Sequence, residues 1–214
     1  MKAGRLLAVY SGMEGVVPRI NRRDVMMSGL AVVLPWPAFA ATAVGEALRV
    51  EGDAVLTRVK EAQALEARAA LFDGDHVRTG VESFAELLLA SATRIHLGPQ
   101  SEVGIDRFIA DLGGEISIGG QMVFDRPDDL PKLDLSFRNA FAEIGVRGTR
   151  FFAGQSKGVF AVFVERGEVE VRAAGVTEVV KPGEGVNIVP GEAPTQPVPW
   201  GQARIEAAMA SVGL

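Results

Sequence analysis

The segments Leu71-Phe-Asp-Gly-Asp-His-Val-Arg-Thr-Gly80 and Ile144-Gly-Val-Arg-Gly-Thr-Arg-Phe-Phe152 set the reading of the whole chain. Each places glycines and small polar residues where a strand must turn, then resumes an apolar run at strand spacing. The first leads into Glu86-Leu-Leu-Leu-Ala90 and Arg94-Ile-His-Leu-Gly-Pro-Gln-Ser-Glu-Val103. The second leads into Gly158-Val-Phe-Ala-Val-Phe-Val-Glu-Arg-Gly-Glu-Val-Glu-Val171. That stretch reads as two strands joined through Glu165-Arg-Gly-Glu168, with Gly167 taking a positive φ in the tight turn.

The same pattern continues outward. Val44–Val50, Asp53–Val59 and Ser101–Asp106 alternate apolar and polar residues, and the apolar run Ala85–Leu89 reads as a strand buried on both faces. A Gly-Glu step opens an alternating stretch at Gly45, Gly114 and Gly167. These features predict an all-β domain over residues 41–190, with its core at 44–189. It would be a compact coil of short strands, either β-helix-like or a two-sheet sandwich. Lys60–Leu71 consists almost entirely of helix formers, a weak prior that tertiary context often overrides. Residues 191–214 read as a proline-rich linker, extended and stiff, followed by a short helix near 199–210. Trp200, Ile205, Ala208 and Met209 would either dock that helix on the sheets or project it as a handle for a partner. The linker favours the handle, with Trp200, Ile205 and Met209 as candidate contacts.

The N-terminus carries an address. Arg22-Arg23 precede the apolar run Val25–Leu34, and Ala38-Phe-Ala40 supplies a small-x-small cleavage pattern. Residues 1–40 therefore read as an export signal, of twin-arginine or general secretory type, cut after Ala40. The apolar run falls short of the about 20 residues a membrane span requires. Beyond Ala40 the chain holds 17 Lys/Arg against 25 Asp/Glu and no cysteine. An acidic chain is a poor match for nucleic acid, and stability must come from burial without disulfides.

Taken in order, four motifs resemble those of the FecR domain, the periplasmic module first known from the regulator of iron-citrate transport. They are Gly74-Asp-His-Val-Arg-Thr-Gly80, Ile95-His-Leu-Gly-Pro-Gln-Ser101, Val146-Arg-Gly-Thr-Arg-Phe151 and Val164-Glu-Arg-Gly-Glu-Val-Glu-Val171. The resemblance covers about 44–190. It implies a periplasmic, non-enzymatic binding or signalling module, with an irregular or strand-like excursion over residues 60–71 despite their helix formers. Relatives pass a signal through one membrane helix to a cytoplasmic anti-sigma segment. No stretch before the export signal is long enough for that segment, so a stand-alone FecR-like protein is expected. Its partner would be a periplasmic or membrane-anchored protein. The motif turn residues Asp73, Gly74, Asp75, Thr79, Gly80, Arg147, Gly148 and Thr149 read as structural. Arg147 would bridge a carboxylate or carbonyls, Gly148 would supply a strained φ, and Thr149 would bond its own backbone.

Catalytic chemistry finds little footing. His76 and His96 lack a convergent ligand set, and aspartates such as Asp73 and Asp75 beside a glycine turn satisfy backbone amides. No serine lies in a Gly-x-Ser-x-Gly turn. Asp128 and Asp129 sit in the polar loop Asp125–Pro131, which reads as solvated. No catalytic, metal or cofactor site is expected. The competing reading is an envelope carbohydrate-binding protein or polysaccharide-active enzyme, which would need exposed aromatic residues. Only Trp200 among the tryptophans, and no tyrosine, lies beyond Ala40.

Overall fold

The computed structural model describes residues 42–90, 92–109, 112–146 and 149–214. The chain runs through β1 (Gly45–Glu51), β2 (Ala54–Arg58), β3 (Glu61–Ala64), β4 (Ala70–Leu71), β5 (His76–Thr79) and β6 (Phe84–Leu89). It continues with β7 (Thr93–Leu97), β8 (Glu102–Ile109), β9 (Gly113–Gly119), β10 (Met122–Asp125), β11 (Asp134–Arg138) and β12 (Glu143–Val146). The last strands are β13 (Arg150–Ser156), β14 (Val159–Arg166), β15 (Val169–Ala173), β16 (Val176–Val180), β17 (Glu184–Ile188) and β18 (Val198–Pro199). One helix follows, α1 (Gln202–Ala210). The fold is all-β with two sheets, as the turn spacing predicts, and residues 61–71 supply two short strands despite their helix-forming composition.

Sheet A has the order β18-β17-β14-β13-β10-β7-β6-β1-β4, and sheet B the order β16-β15-β12-β11-β9-β8-β5-β2-β3. Pairing is antiparallel except where β9 runs parallel to β11. The chain lays a strand or a hairpin in one sheet, crosses, and lays the next in the other, so it advances along the sandwich as a coil.

The core follows from two-residue periodicity. Leu56, Val77, Leu87, Ile95, Val103, Ile116, Phe137, Phe151, Val162 and Val171 meet between the sheets, all at most 1% exposed. Phe124, Phe137 and Phe151 pack edge-on or tilted at centroid distances of 5.1 to 5.5 Å at its centre. β6 differs from expectation, because its burial alternates and Leu88 is only partly covered. On its outer face only Phe84, at the start of the strand, lies against the C-terminal residues Val212–Leu214. Strands buried on both faces include β10, β13 and β14, where Val123, Phe152, Ala161 and Phe163 point away from the main core into a second cluster.

The link Glu165–Glu168 also departs from a simple hairpin. Gly167 takes φ +79°, as the turn requires, but β14 belongs to sheet A and β15 to sheet B. The turn is a corner between layers. Residues 1–40, read as an export signal, lie outside the described residues. Among the described residues no helix is long and apolar enough to cross a membrane.

Candidate functional site

All four sequence motifs lie at corners where the chain changes sheet. Thr79-Gly80 leads from β5 to β6, Gly98–Ser101 from β7 to β8, Val146–Arg150 from β12 to β13, and Arg166–Glu168 from β14 to β15. The first two are tied together. The Thr79 hydroxyl donates to Gly98 O at 2.6 Å and accepts from the Ser101 N–H at 2.9 Å. Ser101 Oγ accepts from the Gln121 N–H at 2.9 Å, and the Gly80 N–H donates to Asp53 O at 2.7 Å. Thr79 and Ser101 are almost fully buried, so these bonds replace the water the corner backbone would otherwise need.

Asp75 is the hub of the preceding corner. It is fully buried and receives Arg58 in a bidentate pair, Nε to Oδ1 and Nη2 to Oδ2, each at 2.7 Å. It also accepts the Phe72 N–H at 2.8 Å, while Arg58 donates to Ala70 O and lies 4.3 Å over the Phe72 ring. The hydrogen bond to Asp75 raises the Arg58 pKa. Asp73 accepts the Phe108 N–H at 2.8 Å, and Gly74 takes φ +82°. These aspartates therefore serve the backbone. Arg58, outside every motif, escaped the sequence reading.

Arg147 and Gly148 lie outside the described residues. Thr149 is fully buried, and its Oγ1 has no hydrogen-bond partner among the described residues, so the expected bond to its own backbone is not seen there. Beside it, the loop Asp125–Pro131 is anchored where free solvation was expected. Arg126 is 4% exposed and donates to Thr93 Oγ1 at 2.8 Å and to Pro131 O at 2.9 Å. Asp125 and Asp128 both pair with Arg166, whose pKa is raised first by the hydrogen bond to Asp128. His76 lies in sheet B and His96 in sheet A. Among the described residues no group of three His, Cys, Asp or Glu is placed to hold a metal ion.

The outer face of sheet A is covered by the C-terminal segment. Trp200 is 7% exposed, stacks on Phe163 at 4.9 Å between centroids, and contacts Phe152. Its indole lies so close over Gly185 that a Cβ there would stand 2.3 Å from Nε1. Ile205, Ala208, Met209 and Val212 complete this cluster. Arg204 stacks on Trp200 at 3.6 Å and donates to Ser156 Oγ and Asn187 Oδ1. The expectation of a projecting handle is corrected: Phe152 and Phe163 would lie bare on the sheet face without cover, and the C-terminal segment supplies it. The proline-rich segment is no spacer either, since Val198–Pro199 pairs with β17 and the Thr195 N–H donates to Asn187 O.

The outer face of sheet B has no such cover among the described residues. A groove of about 420 Å³ crosses β8, β9, β11 and β12, with Arg107, Glu115, Ser136, Arg138 and Glu143 projecting into it over a floor of Gly113 and Gly114. Ile109 and Leu112 stand exposed at its rim. Arg138 pairs with Glu115 at 3.4 Å. Arg172 faces Glu143 at 3.8 Å and donates to Thr177 Oγ1 at 3.2 Å, so a polar row continues from the groove to the edge strand β16. Such half-exposed pairs contribute little stability and leave their charges available to a partner.

A two-sheet coil whose motif residues hold its corners defines a structural class, and comparison with known proteins supplies the family. Residues 75–170 match the family model described as FecR protein. Two crystal structures of a putative anti-sigma factor from Parabacteroides distasonis are similar, each with a TM-score of 0.53 at 18% identity and 63% of this chain covered. The matches span 64% and 63% of those solved chains, and at this identity the likeness is one of fold. No curated protein matches the chain.

Proposed function

We propose that this chain is a non-enzymatic signalling module that is exported to the periplasm and recognises another envelope protein, using the outer face of sheet B. The observation that carries this is the division of labour between residues. The motif side chains described above are spent on corners, and the C-terminal helix is spent on covering sheet A. Among the described residues the outer face of sheet B is left as an uncovered, charged face with a groove. The FecR family is regulatory, and the solved neighbours bear the description of an anti-sigma factor, which supports a protein as partner. The sugar-binding alternative loses its best aromatic, because Trp200 is buried under α1 and stacked on Phe163.

The test is photo-crosslinking in intact cells with a photoreactive phenylalanine analogue at position 136 or 138, and at position 206 on the exposed side of α1. Adducts with an envelope protein from 136 and 138 are expected. Adducts from 206 alone would return the site to the helix, and hydrolysis of an envelope polysaccharide by the purified protein would overturn the non-enzymatic reading.

A further inference from the structure

We propose that β16, the outermost strand of sheet B, is a docking edge that takes up one extended strand of a partner protein, and that Glu178 selects a strand carrying Lys or Arg opposite it. This rests on the reading of the chain as a protein-binding module and names the surface and the chemistry involved.

The two sheets end in four edge strands. β4 and β18 have two residues each, and β18 contains Pro199, so neither offers a ladder of useful length. β3 has four residues, all exposed, with no core behind it. β16 has five residues, is backed by the buried strand β15, and has no second strand neighbour among the described residues. Its sequence, Val176-Thr-Glu-Val-Val180, is rich in β-branched residues, and Val176 and Val179 are each 41% exposed. Backbone pairing along such an edge supplies affinity, and alternate side chains supply selection.

Register places the selecting group. Glu178 pairs with Val171, a fully buried core residue, so its carboxylate lies on the core-facing side at the open rim. Among the described residues it has no hydrogen bond or ion pair. A second copy of the chain is a poor occupant: two β16 strands related by a two-fold axis through position 178 place Glu178 against Glu178, and directly opposed like charges are destabilising. A strand with a basic residue at that position turns the repulsion into attraction, and β-branched neighbours suit Thr177 and Val179 on the other face.

The experiment titrates the full, isotope-labelled chain with the capped peptide Thr-Val-Lys-Val-Thr, with its Glu-centred counterpart, and with a Lys-centred version N-methylated on alternate amides, following backbone amide resonances. The expected result is shifts confined to β16 and β15, about fivefold tighter binding of the Lys peptide than of the Glu peptide, a reversal of that order in Glu178→Lys, and no binding of the N-methylated peptide. No shifts, shifts centred on β3 or the groove, an unchanged preference in Glu178→Lys, or equal binding of the N-methylated peptide would overturn the proposal. Crosslinks from position 138 without any peptide response at β16 would remove the edge and leave the protein-binding reading in place. A peptide response without envelope adducts would do the reverse.

Discussion

At the scale of single residues, the Arg58–Asp75 pair is where a substitution should cost most. Asp75 is fully buried, so removing its partner leaves an uncompensated carboxylate in the core. Breaking a buried pair costs about 3 kcal/mol at the lower end, the end that applies because Arg58 itself is partly exposed. Arg58→Ala should therefore lower the thermal midpoint by roughly 10 °C in a domain of this size, and a shift below about 2 °C would refute the hub role. Val59 presents the opposite case. It is 88% exposed at φ +47°, a strained conformation for a β-branched residue, at the tip of the β2–β3 hairpin. Val59→Asn should stabilise the protein by about 1 kcal/mol in denaturant unfolding. His96 sets a pH dependence. Burial lowers its pKa below the ordinary 6.5, outweighing Glu86 and Asp125, while Arg150 and Arg94 act in the same direction as burial. The folded state then binds fewer protons than the unfolded chain, so stability from this group is intact above about pH 6.5 and falls as acidification proceeds toward the folded pKa. Between pH 7 and pH 5 the protein should lose more stability than its His96→Gln variant. Equal losses would show that His96 does not contribute.

At the scale of elements, α1 owes its existence to packing. Its first turn has no acidic residue and its N-cap, Gly201, makes no side-chain cap, so nine residues have little intrinsic reason to be helical. A peptide of residues 199–214 should give a coil spectrum by circular dichroism. In the intact protein Trp200→Ala should cost about 3 kcal/mol and increase binding of a hydrophobic dye, because Phe152 and Phe163 lose their cover. An unchanged unfolding midpoint would mean that the segment is loosely held and free to engage a partner after all. Deleting 199–214 consequently tests stability as much as binding, which is why the crosslinker at position 206 is the cleaner probe of the helix.

At the scale of the whole molecule, the net charge beyond Ala40 is consistent with the proposed export. An acidic, cysteine-free chain suits a compartment in which it must avoid anionic lipid and owes nothing to disulfides. Mass spectrometry of the envelope fraction should find Ala41 at the N-terminus, whereas a dominant species that keeps residues 1–40 would sink the cleaved signal. Its open surface is asymmetric: sheet A is capped by α1, while sheet B presents the groove and β16. That asymmetry is what the paired crosslinking positions interrogate.

Much of this was legible in the residues themselves. The positions of the turns, the positive φ of Gly167 and the backbone bonds of Asp73 and Asp75 follow from local turn chemistry and two-residue periodicity, whereas the strand character of 61–71 ran against local propensity and was expected only from the family resemblance. Periodicity says that a strand has two faces, but not which sheet it joins, so Glu165–Glu168 looked like a hairpin turn while β14 and β15 lie in different layers. Arg58 meets Asp75 across 17 positions, and Thr79 meets Gly98 across 19. Partnerships at that range depend on the packing of the sheets, which no local pattern encodes. Trp200 looked like an interface anchor because its residue type suits one, and only the tertiary fold placed Phe152 and Phe163 beneath it. Glu178 belongs to no sequence motif, and only its register opposite the buried Val171 puts it on the core-facing side of an open edge. The sequence alone determined where the chain turns. The tertiary structure decided which faces are covered, because burial depends on what residues distant in sequence bring to the same place.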